Sequence, residues 1–318
     1  MRSATWPGRI SRRSPTPWRS PWSGSSGRRE RRRRADRRPV AARRTPVIDV
    51  HVHLHPPRLG DAIRRHFTER GWPLPHPFDP ASVAGTLKAH GVERFCFFSY
   101  AHRPGMARAV NEWIAGAARD LPGAVPLGTI HADDPDCVAV AEHALGVLGL
   151  GGFKIHCSVQ RLAPDDGRLF PVYERVARAG KVLVLHAGTM PYGDPHTGAR
   201  RVEAVMARFP ELRVCVAHLG QFEVGEFAAM TERYPHLYLD TAMALTLLAT
   251  PYVGAVPADV PTELLLRHQD RILFGSDFPL TPYPYEEELR WLETRRLPAD
   301  VARKILATNA ARWLGLSG

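Results

Sequence analysis

Cysteine is scarce in this chain. The 318 residues hold four, Cys96, Cys137, Cys157 and Cys215, and no two are spaced as CxxC. A disulfide framework is therefore not expected, and buried, reduced thiols in a cytoplasmic protein are. No apolar run approaches the ~20 residues that a membrane-spanning helix needs. Lysine is missing from residues 1–45, which carry 15 Arg against only Glu30 and Asp36. The formal charge of +11 therefore belongs to that stretch, because residues 46–318 hold 28 basic and 30 acidic side chains. The body has no excess of positive charge with which to bind nucleic acid or an anionic surface.

Residues 1–45 are rich in Arg, Ser, Pro and Trp and show no helical or alternating apolar pattern. Such a segment buries too little apolar surface to offset its ordering entropy, so a disordered tail is expected. Arg31 to Arg34 could hold a polyanion by charge, and an Arg- and Ser-rich start also fits an organellar transit peptide. Arg12-Arg13 lacks the apolar stretch that a twin-arginine export signal requires. An inert tail, or a start codon assigned too early, is the expectation, and nucleic acid is not an expected partner.

From residue 46 onward, short apolar runs alternate with helix-length segments. Eight runs can be counted, at 47–53, 92–100, 125–130, 152–156, 182–186, 212–218, 237–240 and 271–276. Amphipathic stretches separate them, at 106–120, 136–148, 169–179, 201–208, 224–234, 262–268 and 284–295, with a closing helix expected at 299–314. Eight strands each followed by a helix specify an α/β fold, a (β/α)8 TIM barrel formed by residues 46–318. The Pro-rich insertion at 54–91 is expected to fold over the barrel mouth. Its aromatic residues Phe67, Trp72 and Phe78 either form a small core of their own or offer a flat wall to a planar substrate.

In such a barrel, chemistry collects at the C-terminal strand ends. The first run reads Val47-Ile48-Asp49-Val50-His51-Val52-His53, and strict alternation places Asp49, His51 and His53 on one face. Two imidazoles two residues apart on a strand stand side by side, which suits a shared metal ion. The fifth run is apolar until His186, the sixth until His218, and the eighth ends Gly275-Ser276-Asp277. Unpaired polar groups are costly at the ends of core strands unless something binds them. Imidazole nitrogen together with carboxylate oxygen suits Zn2+, or another borderline divalent ion such as Mn2+ or Fe2+. Asp49 is expected to orient a ligand imidazole through its ring N–H. On the fourth run, Lys154 could be carboxylated to bridge two metals, bind a substrate carboxylate, or pair with Asp277. His156 is expected to stand behind the ligands. Gln160 and Arg161 either line the mouth or are loop surface.

The order of these motifs resembles the amidohydrolase superfamily, most closely its amidohydrolase family 2 branch, related to aminocarboxymuconate-semialdehyde decarboxylase. The resemblance runs from about residue 47 to 314. It is carried by Asp49-Val-His51-Val-His53, Gly152-Phe-Lys154-Ile-His156, Leu185-His186-Ala-Gly188, Ala217-His218-Leu-Gly220, Leu239-Asp240-Thr241 and Phe274-Gly275-Ser276-Asp277-Phe278-Pro279, and by the closing segment Ile305 to Leu314 with its Asn309. The resemblance implies that His51, His53, His186 and Asp277 hold the metal, and that His218 positions or polarises a small-molecule substrate. It also implies a choice of reactions, since the branch contains hydrolases, non-oxidative decarboxylases and relatives that work without metal. Hydrolysis of a small C–N or C–O bonded substrate by metal-activated water, with Asp277 accepting the proton, is the first expectation. Decarboxylation of an aromatic or unsaturated acid is the alternative. Relatives are often dimers, so a homodimer is the expected assembly.

Overall fold

The computed structural model describes residues 46–190, 193, 195–253 and 260–316, so the expected disordered tail at 1–45 lies outside the described residues. Eight parallel strands follow one another in chain order: β1 Val47–His53, β2 Val92–Phe98, β3 Ala124–Leu127, β4 Gly152–His156, β5 Val182–His186, β6 Arg213–Val216, β7 Leu237–Asp240 and β8 Ile272–Leu273. β1 to β3 form one continuous ladder and β4 to β8 another. The ladders join at both seams. Gly128 N–H donates to Gly152 O and Lys154 N–H to Gly128 O, both at 2.8 Å, linking the end of β3 to β4. Val50 N–H donates to Phe274 O at 2.9 Å and Asp277 N–H to His51 O at 2.8 Å, linking β8 back to β1. The result is a TIM barrel closed at both seams among the described residues.

The strands are almost wholly apolar because both faces are covered. One face packs on the surrounding helices, through residues such as Val47, Val52, Phe95, Phe97, Leu183 and Val214. The other fills the barrel with Ile48, Val50, Cys96, Phe98, Val184, Cys215, Tyr238 and Leu273, and Trp313 of the last helix packs with them. All four cysteines are buried.

Several strands are shorter than their apolar runs. β6 stops at Val216 because His218 and Leu219 take left-handed backbone angles, φ 58° and 52°, that a strand cannot continue through. The insertion after β1 is not a structureless loop. It forms two helices, Pro57–Thr68 and Pro80–Ala89, each opening on a proline, the second capped by Asp79 accepting from Ser82 N–H at 2.8 Å. Its aromatics pack into a small core of their own: Phe67, Trp72 and Phe78 lie against Ile63, Leu74, Tyr100 and Leu280. Among the described residues, no helix is long and apolar enough to cross a membrane.

Candidate functional site

The strand ends bring seven of the expected polar side chains to one end of the barrel, but not all to one cluster. β1 contributes His51 and His53. A ladder irregularity between Asp49 and Val52, where three residues of β1 span two of β2, inserts one extra residue. Val50 therefore packs inside the barrel and Val52 outside, while both imidazoles turn inward beside Phe98. Strict alternation fails here, and with it the expectation that Asp49 orients a ligand ring. Asp49 instead accepts from His51 N–H at 3.0 Å, Ser276 N–H at 3.2 Å and Tyr285 O–H at 3.1 Å, tying β1 to the segment after β8. Burial raises its carboxyl to about 6.

The role expected of Asp49 belongs to Asp240, at the end of β7. Its Oδ2 accepts from Nδ1–H of His51 at 2.9 Å, and its Oδ1 from the backbone N–H groups of His218 and Ala242 at 2.9 and 3.1 Å. With Nδ1 of His51 committed as a donor, Nε2 carries the lone pair, and it faces Oδ1 of Asp277 at 2.9 Å. Nε2 of His53 faces the same oxygen at 3.0 Å. The donor atoms of His51, His53 and Asp277 thus lie within 4.8 Å of one another. Lone-pair atoms this close need a proton or a cation between them, so this trio fits a borderline divalent ion. His51, His218 and Asp240 also gather within 4.8 Å. In that group, however, the carboxylate is already occupied by three hydrogen bonds, which makes it an organiser of ligands.

Charge on this side is balanced. Burial alone would raise Asp277, but the adjoining imidazoles of His53 and His51 hold it well below the usual carboxylate range. Burial pushes His53 down to about 4. Lys154, wholly buried, lies with Nζ 3.3 Å from Nε2 of His51 and 4.7 Å from the centre of the Phe98 ring. Of the three roles open to it, the pair with Asp277 is not formed, since Oδ1 of Asp277 faces the two imidazoles. Burial lowers the lysine, opposed by the carboxylates of Asp240 and Asp277.

The opposite side of the mouth holds imidazoles without an acid in contact. His156 and His186 are register partners on β4 and β5, and their rings stack at 4.0 Å. Nδ1 of His186 lies 3.2 Å from Nε2 of His218, whose own Nδ1–H donates to Ala242 O at 2.8 Å. Burial holds His156 and His186 well below 6.5, and His218 is lowered for the same reason. His186 thus meets the trio through His218 rather than through Asp277.

Two non-glycine residues at the rim, His218 and Asp277, hold left-handed angles of 58° and 64°. Each such residue costs on the order of 1–3 kcal/mol, and such strain persists where surrounding contacts demand it. Gly275 is required by close approach, since a Cβ there would meet Cβ of His51 at 2.8 Å.

Gln160 and Arg161 do not line the cluster. Gln160 is buried and ties three loops together, with Nε2 donating to Ala101 O and Ile130 O and Oε1 accepting from His156 N–H. Arg161 is exposed in a left-handed helix-ending position. Two participants, His55 and Glu288, escaped the sequence reading, and a third, Asp240, entered it only within a motif and without a role. Asp240 follows the same strand-end rule as His186, two residues after the inward Tyr238, and could have been found by it. His55 continues the period of His51 and His53 and is held by Ser99 Oγ, 2.8 Å from its Nδ1. Glu288 lies within a helix and left no local signal.

The barrel is similar to those of several solved structures. An uncharacterised TIM-barrel protein of Bordetella bronchiseptica is 23% identical, with 85% of this chain and 98% of that one covered and a TM-score of 0.66. A 2,6-dihydroxybenzoate decarboxylase from Rhizobium is 18% identical over 86% of this chain and 100% of its own, with a TM-score of 0.61. A 5-carboxyvanillate decarboxylase of Novosphingobium aromaticivorans, complexed with manganese and 4-hydroxy-3-methoxy-5-nitrobenzoic acid, is 15% identical over 85% and 96%, at 0.58. At these identities the likeness speaks for the fold. A sequence model of the family described as Amidohydrolase matches residues 48–316, nearly the whole barrel, and on that match the chain belongs to the amidohydrolase family.

Proposed function

We propose that this chain is a divalent-metal-dependent, non-oxidative decarboxylase of an aromatic carboxylic acid. The trio His51, His53 and Asp277 would hold the ion, Zn2+ first, with Mn2+ and Fe2+ of similar donor preference. Bound there, the ion supplies a Lewis acid that fixes and polarises substrate oxygens.

The observation that carries this reading is Lys154, a buried amine beside the ligand set that no carboxylate among the described residues contacts. A buried ammonium without an ion-pair partner is costly and attracts an anion. A substrate carboxylate meets that need; an amide or lactone does not. The wall behind it is aromatic, with Phe98 fully buried and Tyr100 nearly so. Such a wall suits a planar ring and keeps water away from the bond to be broken. His218, its Nδ1 committed to Ala242 O, carries protons at Nε2. Taking up a proton there and passing it to the ring carbon forms the new C–H bond. The C–C bond then breaks, its electron pair restores the aromatic ring, and carbon dioxide leaves. Two of the similar structures bear the names of aromatic decarboxylases, which supports the same reading. Hydrolysis, the first expectation from sequence, uses the same ligands and rests on the family description alone.

The test is to incubate metal-loaded protein with panels of hydroxybenzoates, lactones and amides. Carbon dioxide with the matching decarboxylated arene is expected. Turnover of a lactone or amide with no carbon dioxide from any acid would overturn the reading.

A further inference from the structure

Glu288 lies on the helix Glu286–Thr294, outside the ligand set, yet it is 2% exposed and its carboxyl points to the loop after β7. Its Oε1 accepts from Met243 N–H at 3.2 Å and from Tyr283 O–H at 2.6 Å. Met243 N–H belongs to the same peptide unit as the carbonyl of Ala242, and that carbonyl accepts from Nδ1–H of His218 at 2.8 Å. Met243 itself sits at φ 53°, a left-handed angle unfavourable for a residue with a Cβ. A peptide plane held in that orientation needs a partner on its N–H side, and the buried carboxyl is that partner.

We propose that Glu288 is a positioning residue for His218. Through the Ala242–Met243 peptide it holds the imidazole in the Nδ1–H tautomer, leaving the Nε2 lone pair turned toward His186 and the ligand cluster. A peptide whose N–H donates is a better acceptor at its carbonyl, so the two hydrogen bonds reinforce one another. Burial pushes the Glu288 carboxyl well above its usual range, and glutamine, with the same length and an acceptor oxygen for Met243 N–H and Tyr283 O–H, is its close mimic. The proposal rests on His218 as the proton-carrying group, but the tautomer is a property of the resting protein and can be read without turnover.

The experiment uses the zinc-loaded full chain labelled with 15N-histidine, with the His218 signals assigned by their loss in His218→Gln. Wild type and Glu288→Gln are expected to show the Nδ1–H pattern. Glu288→Asp, one methylene too short to reach Met243, is expected to populate the Nε2–H form and to lower kcat about tenfold with little change in KM, on the scale of losing an outer hydrogen-bond partner. Tyr283→Phe removes the other donor to the same oxygen and should leave the tautomer unchanged. Should Glu288→Asp not fold, Glu288→Met takes its place in the same spectra. An Nε2–H pattern in wild type, or a folded Asp or Met variant indistinguishable from wild type, overturns the proposal. If the tautomer moves while kcat does not, the proposal stands and the catalytic reading of His218 falls.

Discussion

The two halves of the barrel mouth solve different problems with the same residue type. On the β7–β8–β1 side the two imidazoles of β1 meet carboxylates: His51 contacts both Asp240 and Asp277, and His53 contacts Asp277. On the β4–β5–β6 side, His156, His186 and His218 touch one another and backbone carbonyls, with no acid between their rings. Paired with carboxylates, imidazoles form a seat for a cation. Buried among themselves, they are kept neutral and able to carry a proton. Histidine takes either part because its charge near neutral pH follows its surroundings.

The largest effect should come from removing the negative charge of the cation seat. Asp277→Asn keeps shape but not charge, and is expected to lose bound metal and about 10³-fold or more in kcat/KM, the scale of a lost electrostatic contact in the transition state. Elemental analysis beside steady-state kinetics checks it, and full metal occupancy in the variant would erase the division between the halves. His218→Gln, on the neutral side, should keep its metal while kcat falls by roughly 10²–10⁴, the range of a positioned acid–base group. Asp240→Asn leaves the ligands in place but loosens the ring of His51. Metal affinity should drop by about 10–100-fold, measurable by competition with a chelator.

Acid should expose the same contrast in the metal-free protein. Burial holds His53 at about 4 and His156 and His186 well below 6.5. The unfolded chain binds protons at these positions below about 6.5 and the folded one does not, so acid favours unfolding. Asp49, raised to about 6, works the other way, as do Glu288 and His51, but the lowered imidazoles, His55 and His218 among them, outnumber these groups. The thermal midpoint should therefore fall as pH drops from about 6.5 toward about 4, and a midpoint that rises would contradict the buried-neutral assignment. Smallest of all, Arg161→Ala should leave kcat/KM within about twofold, as a surface change does. A larger loss would bring Arg161 into the site after all.

Much of this architecture was legible in the one-dimensional pattern. Runs such as Val182–His186 are apolar because both faces of a barrel strand are covered, so their number and order follow from local composition. His51, His53, His186, His218 and Asp277 stood out because a polar group ending an apolar run is anomalous within a few residues of chain. Asp240 obeys the same rule but entered only through a motif of the family resemblance, without a role.

What the chain by itself determined is thus the barrel, the places where polar groups interrupt its core, and the kind of ion those groups suit. Only the folded molecule decided which of them meet. One extra residue in β1 sends Asp49 away from the rings and leaves Asp240 to orient His51, and a peptide two residues beyond β7 joins Glu288 to His218. Those outcomes depend on ladder register and on contacts between residues 45 and 189 positions apart, for which neighbouring residues in sequence carry no physical signal.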